Sequence, residues 1–339
     1  MDGTAAHDRV AVVGTGAWGT VLATLLVQAG ATTTLLCRDE AEAGELRSRR
    51  ENRRFLPGVR LPEALCFDGD PAEALQGAGL VVLAVPAQRL RENLRWIGAA
   101  LDPSADLLCA SKGIELHSGL RMSEVIRQAL GERAGASLTL SGPNLSSEIV
   151  RGLPAASVVA GPPEQAAAAR AVQQRFSSER FRLYTSSDQA GVEIGGALKN
   201  VIAIACGICD GLGYGHNARA GLMTRGLAEI TRLARACGGR TRTVAGLAGM
   251  GDLVATVAST ASRNYALGLA LGRGKQLAEI TAGSVHVAEG VPSTSAALAL
   301  AARLGIELPV TAQLAAVLSG ECTPEQGARA LMRRALIAE

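Results

Sequence analysis

Lys199 stands by itself in an apolar stretch. The segment reads Glu193-Ile-Gly-Gly-Ala-Leu-Lys199-Asn200-Val-Ile-Ala-Ile-Ala-Cys206, and no other residue between Glu193 and Asp210 is charged. On a helix its neighbours at three and four residues are Gly195, Gly196, Ile202 and Ala203. Such surroundings predict burial, which destabilises an ammonium and lowers a lysine's pKa. A lysine poised nearer neutrality can give or take a proton. A lysine that merely snorkels along an apolar surface would look the same. On this segment alone both readings stay open.

Further isolated polar groups sit in small-residue loops. Ala110-Ser-Lys112-Gly113-Ile-Glu follows an apolar run, so Lys112 falls at the carboxyl end of a strand, where open α/β sheets bind ligands. Gly249-Met-Gly251-Asp252-Leu and Ser262-Arg263-Asn264 lie further on. Arg263, flanked by Ser and Asn before a helical pattern, offers a fork of donors and a helix N-terminus to a phosphate. Taken singly, each reads as a capped turn carrying a solvated charge.

The N-terminal segment Val10-Ala-Val-Val-Gly14-Thr-Gly16-Ala17-Trp18-Gly19-Thr20 is strand, glycine turn and helix. In the dinucleotide-binding fingerprint Gly14 permits the tight turn, Gly16 lets the backbone approach a pyrophosphate, and Gly19 lets the helix pack on the strand. The second strand candidate ends Leu35-Leu36-Cys37-Arg38-Asp39. An acid there would take the ribose 2′-hydroxyl of NAD(H), and an arginine a 2′-phosphate. Arg38 tilts the reading to NADP(H), while Asp39 keeps NAD(H) in play.

The elements that must hold these groups differ between the two halves. Apolar runs at 10–13, 33–37, 80–85, 106–110, 137–140, 157–160 and 181–184 read as strands, and 18–28, 123–130 and 164–176 as helices between them. After about Thr185 helical patterns take over at 192–206, 222–237, 265–271, 293–304 and 324–335. The expected fold is α/β: an N-terminal doubly wound Rossmann domain over 1–187 and a C-terminal all-helical substrate and catalytic domain over 188–339. The chain has 339 residues, 48% hydrophobic and 19% charged, so a disordered protein is excluded. A net charge of +3 and 3% aromatics argue against a nucleic-acid partner. Seven scattered cysteines without framework spacing point to a reducing compartment, the cytoplasm. Cys206 and Cys209 read as core thiols. The first apolar run is too short for a signal peptide, and 243–262 is too rich in Gly, Ala, Ser and Thr for a membrane span.

The ordered set GxGxWG, SKGIE, SGP, GGALKNVIAIACGICDGLGYGHNARAGLMTRGLAEITRL, GLAGMGDL, SRN and EG resembles the bacterial-type NAD(P)-dependent glycerol-3-phosphate dehydrogenases from Val10 to about Leu318. The stretch from Gly195 to Leu233 is the most specific part. The resemblance implies reversible reduction of dihydroxyacetone phosphate to sn-glycerol 3-phosphate by hydride from NAD(P)H, feeding glycerophospholipid synthesis. It implies that Lys199 transfers the proton and that Lys112 touches substrate and cofactor. Gly142, Asn144, Asn200, Asp252, Ser262, Arg263 and Asn264 fall on substrate positions. Ala17, Trp18, Arg38, Ser146, Arg263, Val287 and Glu289 fall on cofactor positions, beside Gly14, Gly16 and Gly19. The family usually reads SGP-x-Phe-Ala-x-Glu; here Leu145 and Ser146 replace Phe and Ala.

This chemistry agrees with the residues read singly. Hydride addition to a ketone leaves an alkoxide that needs a proton, and a phosphate held remotely orients the reacting carbon. No metal cluster is expected, and the four histidines (7, 117, 216, 286) are dispersed. The chain could assemble as a homodimer. Two other readings compete: a hydroxyacid or 6-phosphogluconate type of dehydrogenase, and a non-catalytic nucleotide sensor. The long motif around Lys199 argues against the first. The sensor would leave Lys199 and the Ser-Arg-Asn clamp unexplained.

Overall fold

The structure is a computed structural model that describes residues 9–131, 135–282 and 288–335. Eight strands form one sheet: β1 Arg9–Val13, β2 Thr32–Leu36, β3 Cys66–Asp68, β4 Leu80–Leu83, β5 Asp106–Cys109, β6 Ser137–Ser141, β7 Ala155–Ala160 and β8 Phe181–Ser186. Their order is β3-β2-β1-β4-β5-β6-β7-β8. Neighbours run parallel except β6 and β7, where Leu140 faces Val159 in an antiparallel register. All four residues of β4 are buried, as are Val10–Val13 of β1, which is why these strands read as continuous apolar runs. β3 was not expected. It has three residues, and its strand character comes from pairing with β2 rather than from its own pattern.

The intervening helices are α1 Ala17–Gln28, α2 Glu40–Arg49, α3 Pro71–Leu75, α4 Leu90–Ile97, α5 Met122–Leu130, α6 Ser146–Ile149 and α7 Ala166–Phe176. α2 is built from local signals. Asp39 caps its N-terminus, Glu40 and Glu42 occupy the first turn, and Arg47 and Arg49 the last, each complementing the helix dipole. The sheet order reverses between β1 and β4, and ligands bind outside the carboxyl ends of strands at such a switch point.

After β8 the chain is helical: α8 Gln189–Gly211, α9 Gly215–Ala236, α10 Thr241–Val244, α11 Asp252–Ala258, α12 Arg263–Gly272, α13 Leu277–Ala282, α14 Gly290–Arg303, α15 Pro309–Ser319 and α16 Pro324–Met332. A π-helical turn, Leu247–Gly251, leads into α11. α8 is long and apolar enough to cross a membrane by length and composition, but 94% of that apolar window is buried inside the protein. It is the central helix of the helical unit, with every residue from Gly191 to Cys209 buried.

The chain divides into two compact units. Among the described residues, one holds those up to Lys112 together with those from Met122 to Gln189; the other holds Gly113–Arg121 and those from Ala190 onward. The short excursion Gly113–Arg121 is fastened to the helical unit by the buried Ile114, by an Arg121–Glu193 ion pair of 2.6 Å, and by Arg303, whose Nη1 donates to the Ser118 carbonyl at 2.6 Å.

Candidate active site

The glycine turn follows β1 in the first unit. Gly14 has φ +110°, and a Cβ there would lie 2.7 Å from the Ala84 carbonyl oxygen just past β4. A side chain at Gly19 would run into the Gly14 carbonyl, so the third glycine is needed for α1 to pack on the turn. Gly16 is different: beyond its own chain neighbours, no atom of the described residues lies within 4 Å of the place its Cβ would take. That open space lies at the N-terminus of α1, which no side chain caps and whose first turn carries no acid. Free N–H groups and the positive end of the helix dipole therefore face an open approach, which fits a pyrophosphate. The buried Trp18 indole N–H, in the first turn of the same helix, has no partner among the described residues. An orphaned buried donor costs about 1–3 kcal/mol, and a bound ligand is one way to satisfy it.

At the end of β2 the charged groups are sorted. Cys37 is buried, and burial first and the Glu42 carboxylate next push its thiol up to about 12. The Arg38 side chain is two-thirds exposed and touches Asp39 at 3.4 Å. Asp39 is taken up by the helix: its Oδ1 accepts from the Glu42 backbone N–H at 2.8 Å, and this bond first, then Arg38, holds its carboxyl below the usual range. The carboxylate that reaches the glycine turn belongs to Glu42. It accepts from the Thr15 hydroxyl and from the Arg38 backbone N–H, both at 2.9 Å. Asn52, also buried, braces the turn by donating to the Thr15 carbonyl at 2.7 Å and the Thr20 hydroxyl at 2.8 Å.

Beyond β5, Lys112 extends its Nζ to the Gly142 carbonyl at 2.9 Å. Gly142 has φ +146°, and a Cβ there would meet Ser157. The Asn144 carbonyl oxygen accepts from the Ser157 hydroxyl, while its buried amide nitrogen has no partner among the described residues. Ser146 opens α6 and is half-buried. Lys112, Gly142 and Asn144 thus come together on the first unit.

In the helical unit the lysine that opens the chain's chemistry proves not to be alone. Lys199 Nζ lies 3.0 Å from the Asp252 carboxylate and donates to the Thr256 hydroxyl at 2.8 Å. Lys199 is 9% exposed and Asp252 2%. The sequence predicted burial acting by itself; the structure adds an opposite charge, which favours the ammonium form against desolvation. Close packing makes this possible. A Cβ at Gly195, one turn before Lys199, would lie 2.8 Å from the Ala248 carbonyl, so the missing side chain admits the turn that delivers Asp252.

The Ser-Arg-Asn segment starts a helix rather than preceding one. Ser262 caps α12, its hydroxyl accepting from the Tyr265 N–H at 3.3 Å, and Arg263 is the first residue of that helix. Arg263 is exposed at its outer edge, yet crowding around it draws the guanidinium below the usual arginine range, with Glu289 pulling the other way. Asn264 points inward. Its Nδ2 donates to Asn200 Oδ1 and its Oδ1 accepts from the Gly290 N–H, both at 2.9 Å. Its side chain therefore sets the orientation of Asn200 and leaves its backbone N–H, in the first turn of α12, for an anion. Glu289 stands beside α14 and is half-buried; Val287 lies outside the described residues.

Three residues at these sites escaped the sequence reading: Thr256, Glu42 and Asn52. Thr256 had a signal, since it lies one helical turn after Asp252 and so on the same face. Glu42 also had one: Asp39 and Glu42 have capping-box spacing. Asn52 had none. Burial pushes the Cys206 thiol up to about 12 and the Cys209 thiol up as well, so neither offers a thiolate near neutral pH. His216 receives Arg219 at 2.8 Å, and Arg219 in turn pairs with Asp210 at 2.7 Å, a brace between α8 and α9.

The same two halves recur in known proteins. The model of the NAD-dependent glycerol-3-phosphate dehydrogenase N-terminus matches residues 9–167, and that of the C-terminus residues 188–329. A glycerol-3-phosphate dehydrogenase, NAD(P)+, of Carboxydothermus hydrogenoformans is 46% identical over 328 residues, covering 96% of this chain and 97% of that protein. One of Corynebacterium glutamicum is 48% identical over 303 residues, covering 89% and 91%. The crystal structure of a glycerol-3-phosphate dehydrogenase from Coxiella burnetii superposes with a TM-score of 0.91 at 34% identity, covering 97% of this chain and all of that one.

Proposed function

The chain belongs to the NAD-dependent glycerol-3-phosphate dehydrogenase family, and from that premise we propose which residues carry each part of the reaction. The reaction is the reversible reduction of dihydroxyacetone phosphate to sn-glycerol 3-phosphate with NADH or NADPH. The reduced nicotinamide supplies the hydride; the residues below bind, orient and move the proton.

The observation that carries the assignment is the buried trio of Lys199, Asp252 and Thr256. Lys199 gives its proton to the oxygen of the carbonyl being reduced. Asp252 keeps the ammonium charged and aimed, and Thr256 fixes its direction. Asn200, oriented by Asn264, donates to the substrate. Arg263 and the N-terminus of α12 hold the phosphate, with Ser262 shaping that terminus. Lys112, Gly142 and Asn144 serve the substrate from the first unit, and Lys112 the cofactor too. Gly14, Gly16, Ala17, Trp18, Gly19, Arg38 and Ser146 take the dinucleotide, joined by Arg263, Val287 and Glu289. The domains follow as 1–187 for the dinucleotide and 188–339 for catalysis. The product is the backbone of glycerophospholipids, and its synthesis is the role we assign. Seven cysteines scattered without framework spacing support a reducing, cytoplasmic setting. Homodimer formation is part of the same proposal, checked by sedimentation.

Purified protein supplied with dihydroxyacetone phosphate should consume NADPH and NADH, followed by the loss of reduced-cofactor absorbance. Turnover with hydroxy- or keto-acids in its place would overturn the assignment.

Cofactor preference rests on Arg38. Its exposed guanidinium at the end of β2 can form a bidentate pair with a 2′-phosphate, so the protein is expected to use NADPH at lower concentration than NADH. Arg38→Ala should raise the NADPH Michaelis constant roughly tenfold, the effect of one charge-assisted contact of about 1.4 kcal/mol, and leave NADH nearly unchanged. Equal losses for both cofactors would remove Arg38 from this role.

A further inference from the structure

We propose that Glu42 is the carboxylate with which this chain discriminates the 2′-hydroxyl from the 2′-phosphate of its dinucleotide, opposing Arg38. The proposal rests on the reading that the glycine turn takes the cofactor.

An acid at the end of β2 is the usual device for selecting a free ribose hydroxyl. In this chain the two positions after Cys37 do not supply it. Arg38 is a cation, and Asp39 is turned to the start of α2, which it caps through the Glu42 N–H while facing Arg38. The first turn of that helix supplies an acid instead. Glu42 lies three residues after the cap, and its carboxylate reaches back past the cap to bridge two sides of the crevice. One oxygen accepts from the Thr15 hydroxyl between Gly14 and Gly16, and the other from the Arg38 backbone N–H at the end of β2. A group placed between the glycine turn and the end of the second strand stands where the adenosine ribose of a bound dinucleotide lies. Glu42 is half-buried, so its charge is less screened than that of a surface acid.

Each carboxylate oxygen uses one lone pair in these contacts and keeps another for a ribose hydroxyl. A 2′-phosphate brought to the same place meets like charge from Glu42 and opposite charge from Arg38. Two opposed charges at one corner account for a site that admits both cofactors and whose preference a single charge can tip. The competing account is purely local: Asp39 and Glu42 form a helix-capping arrangement, and Glu42 only braces the turn.

Equilibrium titration separates the two accounts. Trp18, in the first turn of α1, provides a fluorescence signal for binding of NADP+ and NAD+ without turnover. Glu42→Gln keeps the shape and removes the charge. It is expected to tighten NADP+ by roughly fivefold or more, from relief of like-charge repulsion in a partly screened site, and to leave NAD+ unchanged or weaker. That shift should shrink as salt is raised. Thr15→Val breaks one side of the brace and keeps the charge, so it should leave the ratio of the two affinities as in the wild type. A Glu42→Gln protein in which both affinities fall by the same factor makes Glu42 a brace and overturns the proposal. So does a Thr15→Val protein that reproduces the Glu42→Gln shift in ratio. A wild type that binds neither dinucleotide overturns the reading of the glycine turn itself, and with it this proposal.

Discussion

Lys199→Ala is expected to lower kcat with dihydroxyacetone phosphate by roughly a hundredfold or more, the range spanned by positioned general acids, while the cofactor still binds. The ammonium is held by its contacts with Asp252 and Thr256, and without it the alkoxide formed by hydride addition must wait for water. Removing it also takes the opposite charge from the Asp252 carboxylate, which is only 2% exposed and keeps the Thr256 hydroxyl at 3.4 Å. Breaking such a buried pair costs about 3–5 kcal/mol of stability, so thermal unfolding must be measured beside kcat. Lys199→Arg separates the two effects. A guanidinium can still face Asp252, so much of the stability should return, but it does not titrate usefully and activity should not. Near-normal turnover in Lys199→Ala, with the fold intact, would leave the lysine as a structural partner of Asp252 and nothing more.

Arg263→Ala is expected to raise the Michaelis constant for dihydroxyacetone phosphate by roughly 30- to 700-fold, corresponding to about 2–4 kcal/mol for a charge-assisted contact to a phosphate. The outer edge of Arg263 is exposed, which places the expectation toward the lower end of that range. The guanidinium sits at the first residue of α12, where it and the helix N-terminus act on one anion. Unphosphorylated dihydroxyacetone offers no such anion, so its weak turnover should change far less. Comparison of the two substrates in wild type and variant is the measurement. Equal losses would assign Arg263 to the cofactor or to the fold. Arg263→Lys should recover only part of the loss, because a point charge does not reproduce the planar fork.

Much of the fold was legible because it is written locally. β1 and β4 are continuous apolar runs since both faces of a parallel sheet are covered. The glycine turn was legible because Gly14 and Gly19 answer to steric demands of the adjacent backbone, which hold whatever the rest of the chain does. β3 was not legible, because three residues carry no period and gain strand form only from β2. The antiparallel step between β6 and β7 was hidden for a similar reason: strand direction is a property of the pair, not of either segment.

The candidate site divides along the same line. From the residues themselves, the sequence determined that Lys199 lies on an apolar helix and that Arg263 stands close to the start of another, since each depends on spacing within one short segment. The tertiary structure decided what these groups face. Lys199 looked solitary because its carboxylate comes from α11, delivered by a turn that fits against Gly195. Asn264 reads in the sequence only as a substrate position; packing turns its side chain to Asn200 and Gly290. At the end of β2, Asp39 and Glu42 are both acids near the right place. Only the start of α2 commits the first to its own backbone and swings the second across to Thr15. A periodic pattern constrains the residues that carry it, whereas an isolated polar group is satisfied by whichever distant partner the packing brings within hydrogen-bonding reach.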